Sequence, residues 1–188
     1  MKRKREDAGF GAFVRRYQVL ILVIVLAVLI VPGAIYIIRD LRKGQSEERE
    51  IAPFASHIDE YLTPPKQSAV VNQKGRGAVV PIDTKEKRVD RLYFELPSTL
   101  RAASPDVVAT VVWLAWREEQ VGQYAKGVPS CIEWCDVTVI DKAQGVVIGK
   151  KQFKGGDPPA TLKKNLTKGV GPRPYREIAD YVASLCGD

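Results

Sequence analysis

The chain has 188 residues, 45% of them hydrophobic and 27% charged, with a formal net charge of +7. That is room for one domain of ordinary size and an appendage. The charge is local: residues 1–43 hold nine Lys/Arg against three acids, whereas residues 44–188 hold 20 against 19. A nucleic-acid-binding domain carries its surplus on the folded part, so this distribution argues against nucleic acid as a partner.

After a basic segment, 1–16, residues Tyr17 to Ile38 read YQVLILVIVLAVLIVPGAIYII, without a charge. At about 1.5 Å per residue these roughly 22 residues make about 33 Å of helix, enough to cross a hydrocarbon core. Lipid offers no partner for backbone amides, so the segment is expected to be helical. Pro32-Gly33 falls near its end, and Tyr17 and Tyr36 fall near its two interfaces. Six Lys/Arg precede the run, and Arg39, Arg42 and Lys43 follow it. The heavier side stays in the cytoplasm, so the expectation is a single-pass anchor in the cell membrane with its C-terminal part outside. A cleaved signal peptide is the alternative. The apolar run is longer than the usual h-region and continues beyond Val31-Pro32-Gly33, which favours an uncleaved anchor.

Residues 39–77 are expected to form a juxtamembrane stalk, a short helix and a loop. Ile51, Phe54, Ile58 and Leu62 recur at helical spacing with Asp59 and Glu60 on the other side, and Pro64-Pro65 ends the pattern. Residues 66–77 look like a loop. From residue 78 the pattern turns to strands. Ala78–Ile82 is a short apolar run, and Arg91–Leu96 places Leu92, Phe94 and Leu96 on one face of a strand. Val107–Trp116, apolar on both faces, suits a central strand. Cys131–Ile140 and Gly145–Phe153 suit a hairpin through Asp141–Gly145. Lys154–Pro159 is turn chemistry, and 160–172 a basic loop. Pro174 opens a closing helix with a stripe of Ile178, Val182 and Leu185, and Gly187 follows it. Residues 78–188 are therefore expected to be an α+β domain: a small, mainly antiparallel sheet of four to five strands with a C-terminal helix packed on one face.

The stretch from Leu92 to Leu185 resembles an uncharacterised domain of bacterial membrane and secreted proteins. The residues carrying the resemblance are Leu96-Pro97, Leu100-Arg101-Ala102, Ser104-Pro105, Thr110–Trp113, Val137–Asp141, Phe153–Pro159 and the terminal Glu177-Ile178, Tyr181-Val182 and Leu185. The resemblance implies an extracytoplasmic fold and a bacterial source, and no activity.

Several features invite chemical readings. Cys131 and Cys135 stand four apart on an expected strand, about 13 Å, whereas a disulfide needs Cα atoms within about 7 Å. Cys186 ends the helix stripe and can meet either one, so a Cys135–Cys186 disulfide stands beside plain buried thiols. The single histidine, His57, has no cysteine at zinc-finger spacing and no nucleophile motif nearby. Among the carboxylates Glu118, Glu119, Glu133 and Asp136, the adjacent Glu118 and Glu119 point to opposite faces of a strand. No P-loop or dinucleotide fingerprint is present, and no cofactor or metal is expected. The cluster Lys150, Lys151, Lys154, Lys163, Lys164 and Lys168 is a candidate binding patch for lipid headgroups or an acidic polymer, or else a charged edge that discourages strand pairing. The leading expectation is a membrane-anchored binding or assembly domain, facing the bilayer and an envelope protein or acidic polymer. The alternative is a membrane-anchored cell-envelope hydrolase that uses carboxylates such as Glu133 and Asp136.

Overall fold

The computed structural model describes Tyr17, Arg39 and residues 42–162 and 166–187. The chain divides into two compact units, residues 1–50 and 51–188. In the first, residues 42–50 are helical, and Lys43 pairs with Glu47 one turn on at 3.7 Å. The expected stalk is thus a helix. The expected basic segment 1–16 and the span 17–38 lie, except for Tyr17, outside the described residues. Among the described residues no helix is long and apolar enough to cross a membrane.

The second unit is α+β and is built on a mixed sheet. Its strands are β1 (Gln67–Val70), β2 (Val79–Asp83), β3 (Arg88–Val89), β4 (Thr110–Gln123), β5 (Pro129–Asp141), β6 (Val146–Lys154) and β7 (Gly169–Val170). They lie in the order β1-β6-β5-β4-β2-β3, with β7 alongside β5. The β1/β6, β2/β4 and β5/β7 pairs are parallel, and the rest are antiparallel. This corrects the expectation of four to five mainly antiparallel strands. β1 lies in what the sequence suggests is a loop, and β7 in the basic loop. Both are short, and β1 is exposed throughout, so neither has a hydrophobic alternation to reveal it.

A second correction concerns Leu92–Glu95, which is a turn of helix (α2) rather than a strand. Asp90 Oδ1 accepts the Leu92 N–H at 2.8 Å and so opens the turn, and Pro97 follows it closely. Leu92 and Leu96 satisfy a period of two and a helical i,i+4 spacing equally well, so periodicity alone could not separate them.

The sheet has two covers. On one face, α3 (Tyr175–Cys186) lays Ile178 and Val182 against Val112, Leu114, Cys135, Val137 and Phe153, with Leu92 of α2 and Leu96 just after it completing the cluster. On the other, a 3₁₀ segment (Ala52–His57) and the short α1 (Ile58–Tyr61) bury Phe54, Ile58 and Tyr61 against Val80, Ile82 and Val111. Trp113 Nε1 donates to the Tyr61 carbonyl at 2.8 Å and ties strand to cover. The amphipathic helix expected from Ile51, Phe54, Ile58 and Leu62 is therefore present, mostly in 3₁₀ form. Its cover stops short, because β2 accompanies β4 only through Leu114. Beyond that point β4 runs on to Gln123 with β5 as its sole strand neighbour among the described residues.

Candidate functional site

The longer strands carry two distinct polar features, one on each face. On the helix side, β4 and β5 place Glu118 directly opposite Glu133. Directly opposed residues bring their Cβ atoms to about 4.5–5.5 Å. Each carboxylate is held by a cation: Lys168 Nζ pairs with Glu118, and Arg173 grips Glu133 with two parallel bonds of 2.9 Å from Nε and Nη2. The Arg173 guanidinium also lies 4.3 Å from the Trp116 ring centre and donates to Tyr175 Oη at 3.1 Å. Trp116 Nε1 in turn donates to Asp90 Oδ2 at 3.0 Å. Burial works to lower the pKa of Arg173, but the bonds to Glu133 and Tyr175 overcome it and hold the group above its ordinary value.

Glycines make this arrangement possible. Gly155 donates to the Glu133 carbonyl at 2.7 Å, Gly156 to Pro172 at 2.9 Å and Gly171 to Cys131 at 3.1 Å. A Cβ on Gly171 would overlap the Gly156 carbonyl, and one on Gly155 would stand 2.8 Å from the carbonyl oxygens of Glu133 and Pro172. The stretch KGGDPP is therefore more than a turn, since it lets the chain before Arg173 press against β5. Around the network opens a cleft of about 550 Å³ lined by Asp83, Lys85, Arg88, Glu118, Glu133 and Arg173, among others.

Asp90 is 5% exposed. Burial raises its pKa, against the hydrogen bonds from Leu92 and Trp116 and the attraction of Arg173. A carboxyl that holds its proton more tightly when folded contributes stability that is full below the ordinary aspartate value of about 3.9. That contribution is lost as pH rises through the raised value. Asp90→Asn is expected to flatten this fall, which urea midpoints measured from about pH 4 to about pH 7 would show.

On the opposite face, three strands set one residue each in a single row: Arg117 of β4, Trp134 of β5 and Lys154 of β6. The Arg117 guanidinium lies 5.0 Å and the Lys154 ammonium 5.8 Å from the Trp134 ring centre. The next row holds Ala115, Asp136 and Gln152, where Gln152 Nε2 donates to Asp136 Oδ1 at 2.6 Å. Ala115, Arg117, Asp136, Gln152 and Lys154 are all exposed.

The expected lysine patch is divided by this geometry. Lys150 and Lys154 lie on the open face, with Lys150 Nζ donating to the Ser68 carbonyl at 3.1 Å. Lys151 points the other way, over Phe153 and Tyr181, and Lys168 sits in the cleft. Lys163 and Lys164 lie outside the described residues. The alternation of Lys150 and Lys151 on a strand is what separates them. The carboxylates proposed for hydrolysis do not converge either. Glu133 faces the cleft, Asp136 three residues on faces the open side, and His57 sits in the 3₁₀ segment with Ser56 Oγ 3.0 Å from its Nδ1. The carboxylate that does meet Glu133 is Glu118, a pairing set by strand register.

The three cysteines are free and buried, which corrects the Cys135–Cys186 pairing. Cys135 lies opposite Trp116 on β4. Cys186 lies beside Thr110, and Thr110 lies opposite Asp141. Six residues of strand, about 20 Å, separate the two levels, far beyond disulfide reach. Burial raises the Cys135 thiol above its ordinary pKa, and burial pushes Cys186 to about 11. The folded protein is accordingly expected to resist thiol reagents near pH 8, with all three cysteines reacting only in denaturant; a colorimetric thiol count with and without denaturant checks this.

No known family, curated protein or solved structure matches this chain. These comparisons add nothing to the resemblance read from the motifs between Leu92 and Leu185, and no function comes to either site from it.

Proposed function

We propose that this chain is a single-pass membrane protein, with its N-terminus cytoplasmic and its 51–188 domain outside, where that domain binds a partner. The uncharged run from Tyr17 to Ile38 and its heavier basic flank on the N-terminal side support the anchor and its direction. The observation that carries the binding role is the uncovered half of the sheet. The first half is covered by Phe54, Ile58 and Tyr61, while among the described residues no helix covers the row of exposed Arg117, half-buried Trp134 and exposed Lys154 on β4, β5 and β6. In the cleft, by contrast, the principal charged groups already hold one another in ion pairs.

Photocrosslinking in intact membranes tests this reading. A photoreactive residue replacing Gln152 is expected to capture a partner, one replacing Glu177 on the exposed side of α3 to capture none, and the chain to stay with the membrane in alkaline carbonate. Release into the carbonate supernatant would overturn the anchor, and equal capture from both positions would overturn the binding face.

A further inference from the structure

We infer that the open row Arg117–Trp134–Lys154 is a binding site for an acidic polysaccharide, a ligand assignment that rests on the binding reading above. Three observations converge on it. First, the row alternates cation, aromatic ring and cation across three adjacent strands in direct register. At about 4.8 Å between strands, the two cations stand roughly 10 Å apart on a flat face with an indole between them. Lys150 lies on the same face four residues from Lys154, a further cation about 13 Å along the strand.

Second, among the described residues neither Arg117 nor Lys154 forms an ion pair, although Arg117 also reaches the rim of the cleft on the other side of β4. Among the described residues the buried Trp134 indole N–H has no hydrogen-bond acceptor, and there packing and the two cations hold the ring. A tryptophan held only in that way has no hydrogen-bonding role in the core to explain it.

Third, the surroundings are polar but not uniformly positive. Asp136 and Gln152 form the next row, Thr138 lies beyond them, and Glu119 stands on the same face one pleat from Arg117. A pure polyanion is repelled by Glu119 and Asp136. A sugar chain uses them, because carboxylate and amide side chains bond hydroxyl groups. The part of the half-buried indole that the two cations leave uncovered offers an apolar surface to a pyranose ring, and Arg117 and Lys154 receive its carboxylate or phosphate groups. A lipid surface fits less well, since it rewards cations gathered at a projecting edge rather than spread across a flat face with acids among them.

The test uses the full chain in detergent micelles and isothermal titration against four probes: polygalacturonate, neutral dextran, polyglutamate, and vesicles containing phosphatidylglycerol. Polygalacturonate is expected to bind, dextran not to bind, and polyglutamate to bind at least about tenfold more weakly than polygalacturonate. Arg117→Gln and Lys154→Gln together are expected to weaken polygalacturonate at least about tenfold. Lys151→Gln, on the other face, is expected to leave it unchanged. Trp134→Leu is expected to weaken binding and Trp134→Phe to retain part of it; a thermal melt confirms that each variant is folded. Equal binding of polyglutamate, binding of vesicles alone, indifference to the double substitution, or no binding of polygalacturonate would each overturn the assignment. If polygalacturonate does not bind while crosslinking from position 152 still captures a partner, the ligand assignment falls and the binding role stands.

Discussion

Arg173→Ala is expected to lower the stability of the folded domain by about 2–3 kcal/mol, below the full cost of breaking a buried pair because the arginine is partly in solvent. The Arg173 side chain is 31% exposed, whereas that of Glu133 is 11% exposed. Removing the arginine strands the carboxylate in a place it cannot leave, takes the stacking partner from Trp116 and frees Tyr175. A thermal midpoint lower by roughly 10 °C would follow for a domain of this size. The double substitution Glu133→Leu with Arg173→Met separates causes. If the penalty is the unpaired charge, an apolar pair restores most of it, whereas a larger loss in the double variant would show that the ion pair itself stabilises.

Phe54→Ala is expected to cost more, about 3–5 kcal/mol, in the range for deleting a fully buried aromatic ring. Phe54 is 0% exposed and its ring centre lies 5.9 Å from that of Tyr93. It is the innermost contact of the cover on the β2 side, so its loss leaves a cavity over Val80 and Ile82. Urea titration of the variant beside Ser56→Ala, an exposed neighbour, would measure the difference. A loss below about 1 kcal/mol would mean that the 52–61 segment rests on the sheet without stabilising it.

The parts of this fold that were legible in the sequence are those whose signal is local. Val107–Trp116, apolar on both faces, announces the strand that starts at Thr110, although Val107 itself closes a 3₁₀ turn and is 51% exposed. The Asp141–Gly145 turn announces its hairpin: Asp141 Oδ1 accepts the Gln144 N–H at 2.9 Å, and Gly145 takes a positive φ of 68°. The stripe of Ile178 and Val182 marks the final helix. What was not legible depends on register and crossover. β2 lies parallel to β4 because residues 84–109 cross back between them, and no short window contains that information. Glu118 and Glu133 meet only because the turn near residues 124–128 aligns them, and Arg117, Trp134 and Lys154 form a row only through two successive registers. The division of the lysines was in principle available from Lys150 and Lys151 being adjacent on a strand. Treating the cluster as one patch overlooked it.

The two covers of the sheet also set an order of assembly. The segment bearing Phe54, Ile58 and Tyr61 leaves the ribosome before any strand it packs on, and its anchoring bond to Trp113 closes a span of 52 residues. The other cover, bearing Ile178 and Val182, is made after every strand. Between them in the chain lies the largest piece built from neighbouring sequence, the β4–β5–β6 meander. Until residues 175–186 are made, the helix-side face of that sheet has no cover from α3. Arg117, Glu118 and Glu119 place charges along the border of β4 that β2 leaves free, which discourages pairing with another strand edge.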